Sequence, residues 1–397
     1  MTLILDPGDD VVHTRAALSA HVFQDGRITV HPAPGTDSTL ALAYDVLAAL
    51  GKPVPLTGYR QLDTAPAWAI AAAWILAPPV THLTLLRAHL LSPRRLHALF
   101  SLRERTGLRL ALVCHRPDIP VALDQALTGT RHRIADATAL LPAADSDAAA
   151  LQDTGPAHPL AGRWLNLPAL TTLMAYDGAG RDCRCAAPLA SERDFFPPVM
   201  PPATTAEVAH RLHGATAHPH LAAELATAVF TAASVTQLDT VHVHDLAPDA
   251  STVTVHDDGL RYGCVTHPVP PWARSLLQAA AHLWRIAAGT DGPLFTDPLG
   301  SKGLPYLTDV AESCKLRPPQ PRHPKRRRRG RRKKARPKPP PETFWPLCTA
   351  HYHSPWAMKE EMYGCPWPPP HTQRTIAARK KGWLPPDYGH RNLRPPR

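Results

Sequence analysis

Short apolar runs alternate with segments of helical period over the first 145 residues. Residues 27–31 (RITVH) are rich in β-branched side chains, which is typical of a strand. Residues 40–50 (LALAYDVLAAL) repeat apolar positions every three or four residues and stop before Gly51, as a helix and its C-terminal glycine do. Strands are predicted at 27–31, 82–86 and 108–114, and helices at 40–50, 64–76 and 92–106. This alternation predicts an α/β domain over residues 1–145, with a parallel sheet and helices on both faces.

The pattern changes beyond residue 145. Residues 146–203 are rich in Pro, Ala, Gly and Asp, and we predict a linker with a short helical piece near 167–174. Residues 204–316 have the pattern of a smaller, mostly helical α+β domain. Its helices are predicted at 220–233 and 272–288, and its β-hairpin at 252–256 and 263–269. A disordered basic arm at 317–341 and an aromatic, Pro-rich tail at 342–397 are expected to follow.

Composition narrows the class of protein. Of the 397 residues, 44% are hydrophobic and only 6% are aromatic, so the cores should be built from Ala, Leu and Val. Seven cysteines at irregular spacing favour a reducing compartment over a disulfide framework. The N-terminus lacks the basic region of a signal peptide, and no run of about 18 apolar residues occurs. We therefore expect a cytoplasmic protein that has no membrane partner.

Positive charge is concentrated in one short segment. The formal net charge is +11, and residues 325–338 hold eleven cations and no acid, so the rest of the chain is neutral on balance. Burying unpaired charges is prohibitive, so this run should stay in solvent and contact the phosphates of a nucleic acid. A nuclear-localisation signal and contact with anionic lipid are the alternatives. The predicted contact residues are Lys325, Arg326, Arg327, Arg328, Arg329, Arg331, Arg332, Lys333, Lys334, Arg336 and Lys338.

A second cationic feature lies in the tail. Thr372 could cap a helix that ends at Gly382, with apolar side chains beside its cations. It looks like the recognition-helix end of helix-turn-helix segments in actinobacterial and phage proteins. The alternative is a short amphipathic helix that docks on the body of the protein. The predicted nucleic-acid contacts are Arg374, Arg379, Lys380 and Lys381.

Four residues of the tail have side chains suited to zinc. Cys348 and His351 are three positions apart, and Cys365 and His371 follow farther along the chain. Cysteine and histidine are the usual ligands of structural zinc, and this spacing resembles a compact zinc site. The alternative is a set of loop residues in a Trp-rich cluster, with no cofactor bound.

The order of elements over about residues 10–135 resembles P-loop ATPases, in particular the AAA-type ATPases of bacterial transposition systems. A strand leads into residues 32–39 (PAPGTDST) and then a helix, where the family has its nucleotide loop. Gly35, Thr36 and Thr39 fit a degenerate loop, whereas Asp37 and Ser38 replace the second glycine and the lysine. After the strand at 82–86, Arg87 and Ala88 replace the family's acidic residues. The resemblance implies a retained scaffold without ATP hydrolysis; an unrelated α/β domain with a Pro-Gly turn is the alternative.

Residues 210–316 resemble the catalytic domain of tyrosine recombinases. Residues 231–238 (TAASVTQL) follow the frame in which that family carries its first catalytic arginine and a glutamate. Ser234 and Gln237 stand at those two positions, so the charge that would stabilise a scissile phosphate is lost. The resemblance implies a degenerate recombinase-like domain that has lost strand transfer. A small α+β domain of unrelated origin is the alternative.

These observations predict a non-enzymatic nucleic-acid-binding protein, with DNA favoured over RNA. Two degenerate catalytic domains beside a basic arm suggest an accessory or assembly factor of a bacterial or phage mobile element or plasmid, associated with the nucleoid. The N-terminal domain would contact a protein partner or a second copy of the chain. One alternative is a divergent recombinase or nuclease that acts through a histidine of the tail or through Tyr352, Tyr363 or Tyr388. The other is an RNA-binding scaffold.

Overall fold

The computed structural model describes residues 1–59, 64–78, 80–141, 163–170, 173, 199–233, 235–256, 264–289, 291–302 and 304–318. The basic segment 325–338, the tail from residue 342 and Ser234 lie outside these residues. The predictions that concern them stay predictions.

Five parallel strands form the central sheet, in the order β2-β3-β4-β1-β5. They are β1 (Thr2–Leu5), β2 (Arg27–Val30), β3 (His82–Leu85), β4 (Arg109–Cys114) and β5 (Arg133–Asp136). The three predicted strands and the parallel arrangement are confirmed. The sequence pattern misses β1 and β5, because neither shows a clear period.

The side chains of successive strand residues point to opposite faces of the sheet. Leu3 and Leu112 point into the large core, whereas their neighbours Ile4 and Val113 belong to a small cluster on the other face. The helices of this region are α1 (Val11–Ser19), α2 (Thr39–Ala49), α3 (Ala65–Leu76), α4 (Pro93–Thr106) and α5 (Val121–Leu127). Helix α1 covers the small cluster through Ala17, and α2 to α5 contribute to the large core. The sheet is therefore covered on both faces, as an α/β fold requires.

The remaining elements follow in a second region of the chain. Its helices are α6 (Pro202–His213), α7 (Pro219–Thr231), α8 (Val235–Leu238), α9 (Pro271–Ala287) and α10 (Leu307–Ser313). Strand β6 (Leu165–Asn166) pairs in parallel with β9 (Leu316–Arg317), and β7 (Thr252–Val255) pairs with β8 (Val265–Pro268) in the predicted antiparallel hairpin. Among the described helices, none is long and apolar enough to cross a lipid bilayer.

Part of the predicted linker is packed into this second region. Leu167, Leu170 and Leu173 are buried and join the large core directly after β6. The buried guanidinium of Arg211 holds the start of this segment, because it donates to the carbonyl of Arg163 at 2.8 Å. Arg211 also pairs with Glu207 one helical turn earlier, at 2.5 Å. Residues 163–170 and Leu173 therefore belong to the packed body rather than to a free connection.

Helix α3 joins the two regions. Ten of its twelve residues are buried, and it contacts α2 and α4 on one side and α7 and α9 on the other. This position explains why its sequence is apolar almost all the way round, since a helix that is buried along nearly its whole length presents no polar face. Residues from both regions accordingly form one continuous hydrophobic cluster. The predicted division into domains at 1–145 and 204–316 is therefore bridged by a shared core.

A buried lysine lies at this junction. The Nζ atom of Lys52 donates to the carbonyl of His213 at 2.7 Å and stands 3.3 Å from the ring centre of Trp74. Trp74 Nε1 in turn donates to the carbonyl of Ala217 at 2.7 Å. Burial lowers the pKa of Lys52 well below its ordinary value. The contact thus ties the end of α2 to the end of α6 through a polar network inside the core.

Three histidines, of which His218 and His220 are buried and His213 is half-buried, should make the fold sensitive to acid. Burial lowers the pKa of His213, His218 and His220 to about 4, so all three are neutral in the folded protein. In the unfolded chain they bind protons near their ordinary pKa of about 6.5. Stability is therefore full above pH 6.5 and is lost as the pH falls from about 6.5 to 4. Each histidine contributes up to about 1.4 kcal/mol per pH unit in that range.

Urea unfolding at pH 7.5, 6.0 and 5.0 measures this loss. His220→Gln removes one titrating ring while keeping a polar side chain, and we expect it to reduce the slope of stability against pH by about one third. A slope that stays the same in this variant would show that His220 is not one of the groups responsible.

Candidate nucleic-acid interface

Four of the five parallel strands begin with a basic residue at the same edge of the sheet. Arg27, His82, Arg109 and Arg133 are the first residues of β2, β3, β4 and β5. The strand register aligns Arg27 with His82 and His82 with Arg109. These four residues, here called the amino-edge surface, share one edge because parallel strands all start there. Arg27, His82 and Arg109 are on neighbouring strands, whereas Thr2 of β1 separates Arg133 from Arg109. Sequence analysis missed them, since each is a lone cation until the strand order brings them together.

The charges of the amino-edge surface are open to solvent. Arg27, Arg109 and Arg133 are exposed, and none of them forms an ion pair with another described residue. Arg133 donates from Nε to the hydroxyl of Thr2 at 3.1 Å, which leaves the rest of its guanidinium free to contact a ligand. The pKa of His82 is lowered by burial and, in addition, by the nearby charges of Arg109 and Arg27. Positive charge therefore converges at this edge.

A shallow depression lies within the amino-edge surface. It has a volume of ≈ 320 Å³ and is lined in part by Thr81, His82, Gly107 and Arg109. Gly107 ends α4 with a φ of 71°, a left-handed conformation that glycine adopts without strain. Arginine and hydroxyl groups around an open depression are the groups with which proteins bind backbone phosphates. This edge therefore fits an extended anion better than a small apolar ligand.

The structure describes the degenerate nucleotide loop but not the other predicted sites. The cationic residues at 325–338 and 374–381, and the ligand set Cys348, His351, Cys365 and His371, lie outside the described residues. Of the recombinase-like frame, Gln237 lies on the short helix α8.

Internal partners hold the loop of residues 32–39. The backbone N–H of Ala33 donates to Asp45 Oδ2 at 2.9 Å, and Arg95 donates to the carbonyl of Thr36 at 2.8 Å. Gly35 has a φ of 74°, and Thr39 is the first residue of α2. Burial raises the pKa of Asp45, although the Ala33 N–H and Arg95 act in the opposite sense. The loop, which follows the edge strand β2, is thus held by the carboxylate of Asp45 and the guanidinium of Arg95.

The opposite edge of the sheet holds a carboxylate–histidine cluster that sequence analysis missed. Asp6, directly after β1, contacts His13 Nδ1 at 3.0 Å and His115 Nδ1 at 2.9 Å. Burial raises the pKa of Asp6, but hydrogen bonds from His13, the Asp10 N–H and His115 outweigh it and hold the pKa below its ordinary value. Arg87 pairs with Asp9 at 3.3 Å. The signal was present in the acids that follow the apolar run TLIL, but it requires β1 to be recognised as a strand.

The topology explains why this cluster lies where it does. Strands β1 and β4 are neighbours, and their connections leave toward opposite sides of the sheet. Open α/β sheets bind ligands at such a point, beyond the carboxyl ends of the strands. Here that position is filled by the protein's own charged groups, and the two Asp6 oxygens already have histidine partners. The arrangement stabilises the strand ends by pairing these charges with one another.

Comparisons with known proteins give no family for this chain. No protein-family model matches it, and no curated protein matches it. The P-loop and recombinase resemblances therefore remain hypotheses that rest on the residues quoted above.

Proposed function

We propose that this chain is a nucleic-acid-binding protein that contacts the phosphate backbone, with duplex DNA as its favoured ligand. The observation that carries the proposal is the run of eleven cations and no acid between residues 325 and 338. A segment of that charge density binds polyanions by releasing their condensed counterions, whatever the base sequence. We infer a backbone contact rather than base reading, because the segment has no aromatic or amide side chains among its arginines and lysines.

The amino-edge surface supports this proposal from the folded body. Strands are about 4.8 Å apart, so the row from β2 to β5 is about 19 Å long. A row of that length can face several successive phosphates of one strand of a duplex. At the opposite edge Asp9 is paired with Arg87 and Asp6 with His115, so the charges of these described residues offset one another. The body would therefore bind nucleic acid with a preferred edge, and the basic segment would add affinity.

The finer parts of the proposal concern the role of the protein. We propose a non-enzymatic accessory or assembly factor of a bacterial or phage mobile element or plasmid, acting at the nucleoid. Loss of the lysine at Ser38, of the acid at Arg87 and of the arginine at Ser234 supports a binding role over ATP hydrolysis or strand transfer. A smaller recombinase-like domain at 204–316 and contact with a partner through the N-terminal domain belong to the same proposal.

Neutralising the amino-edge surface should weaken DNA binding. We expect the triple variant Arg27→Gln, Arg109→Gln and Arg133→Gln to lower the steepness of the log–log salt dependence by up to about 3, because each phosphate contact contributes about 0.9. The measurement is a fluorescence-anisotropy titration of a duplex across a salt series with the full-length chain. Duplex DNA and structured RNA, compared in competition, report which nucleic acid is preferred.

A matched triple variant controls for net charge. Arg15, Arg94 and Arg116 are also exposed but do not begin strands of the sheet. Changing these three to glutamine removes the same charge, and we expect a much smaller change of slope. Equal effects of the two triple variants would mean that only total charge matters, and would remove the amino-edge surface from the proposal.

A further inference from the structure

Three side chains of metal-ligating type converge at the surface of the second region. His242, His244 and Asp291 each offer one ligand atom, and these atoms lie within 4.8 Å of one another. The two histidine rings are two positions apart in sequence, and their centres are 5.4 Å apart on the same side of the chain. His244 Nδ1 is in direct contact with Asp291 Oδ2. Neither the hydrophobic core nor the amino-edge surface requires this grouping.

The backbone holds the three residues in place. The N–H groups of His244 and Gly292 donate to Asp291 Oδ1 at 3.1 and 3.0 Å, which turns Oδ2 toward His244. The Val243 N–H donates to the Gly292 carbonyl at 3.0 Å, so the two chain segments that carry the ligands are joined directly. These contacts fix Asp291 against the histidine turn without the use of a metal. Asp291 Oδ2 is therefore positioned against His244 before any metal binds.

A carboxylate and a third histidine stand behind His244. Asp245 Oδ1 lies 3.6 Å from His244 Nε2 and 3.1 Å from His256 Nε2, and the Asp245 side chain is only 9% exposed. Histidines that bind metals commonly present their second ring nitrogen to such a carboxylate, which orients the ring and raises its basicity. His256 also contacts Cys264 Sγ through Nδ1 at 2.9 Å. Asp245 thus stands between His256 and His244, and a small rotation of the His244 ring that closes the 3.6 Å gap would give this ring an outer-shell carboxylate.

We propose that His242, His244 and Asp291 form a binding site for a divalent transition-metal ion, with zinc as the matching metal. Two ligands 2.1 Å from a tetrahedral zinc ion are about 3.4 Å apart, so small side-chain rotations suffice to bring the three atoms into place. Imidazole and carboxylate ligands suit zinc, nickel and copper better than calcium or magnesium. Three protein ligands leave one coordination position open to solvent. The inference does not depend on nucleic-acid binding.

Zinc binding to the full-length chain tests the site. Because the tail also holds possible zinc ligands, the measurements use a background in which Cys348 and Cys365 are both changed to serine. Isothermal titration with ZnCl₂ should give one zinc ion per chain, and His242→Asn with His244→Asn should abolish it. Asp291→Asn, which keeps an acceptor for the backbone N–H groups, should weaken binding strongly. Asp245→Asn should weaken it by about 10-fold, the lower end of outer-shell effects.

Control variants distinguish binding at the proposed site from the general affinity of zinc for exposed histidines. His97 and His132 are exposed elsewhere on the body, and changing both to asparagine should leave the stoichiometry at one. Substituted cobalt should show the visible absorption of a nitrogen and oxygen site, without thiolate charge transfer. If the His242 and His244 variant binds zinc as the background chain does, or if the background chain binds none at micromolar concentration, the proposal is wrong. Circular dichroism confirms that each variant remains folded.

Discussion

Replacing the basic segment should lower the affinity for duplex DNA by at least about 100-fold near physiological salt. The variant exchanges residues 325–338 for a Gly/Ser segment of equal length, which removes all eleven cations and keeps the spacing of the chain. If the segment neutralises about 6 to 8 phosphates, it contributes a log–log salt slope of about −5 to −7. That slope should largely disappear, leaving the smaller contribution of the amino-edge surface. Anisotropy titrations from about 50 to 300 mM salt measure both the affinity and the log–log salt slope.

Two further variants test whether the loss of affinity comes from the charge of residues 325–338. A chain in which the eleven cations are kept but their order is permuted should bind as the unaltered chain does, because counterion release depends on charge rather than order. A chain with residues 372–382 replaced tests the tail helix separately. Binding that is absent at about 50 mM salt, or unaffected by the Gly/Ser exchange, would refute the role of the segment in binding nucleic acid. The segment would then be better explained as a signal or as a contact with an acidic partner.

Removing the indole of Trp74 should destabilise the whole body by about 4 kcal/mol or more. Truncating a buried tryptophan to alanine typically costs about 3 to 5 kcal/mol. Here the change also leaves the Ala217 carbonyl without its donor and takes the ring away from the buried amino group of Lys52. Buried polar groups that lose a partner add to the cost. Urea unfolding followed by circular dichroism gives the loss of free energy.

The same variant tests the shared core. Since α3 contacts both regions, we expect hydrogen exchange to accelerate together in α4 and in α9. Trp272→Ala is the matched control, because Trp272 is only half-buried at the start of α9, and we expect it to cost clearly less. Faster exchange confined to one region would show that residues 1–145 and 204–316 unfold independently despite their common hydrophobic cluster.

The sequence determined the parts of this protein that depend on local period and on charge. The strands at β2, β3 and β4 and the long helices α2, α3, α4 and α9 follow from apolar spacing and helix-end residues, and the structure confirms them. The excess of positive charge at 325–338 is likewise a matter of composition. These features need no knowledge of which distant residues meet.

Only the tertiary structure decided which residues lie together. The amino-edge surface exists because β2, β3, β4 and β5 start at one edge, and no local pattern encodes the strand order. His242 and Asp291 are far apart in sequence, and the backbone contact between Val243 and Gly292 brings them together. The apolar sequence of α3 indicated that this helix is buried, but not which helices pack against it. A local pattern shows that a helix face is buried and does not identify the elements that bury it. Sites built from distant residues therefore appear only once packing has set the relative positions of the elements.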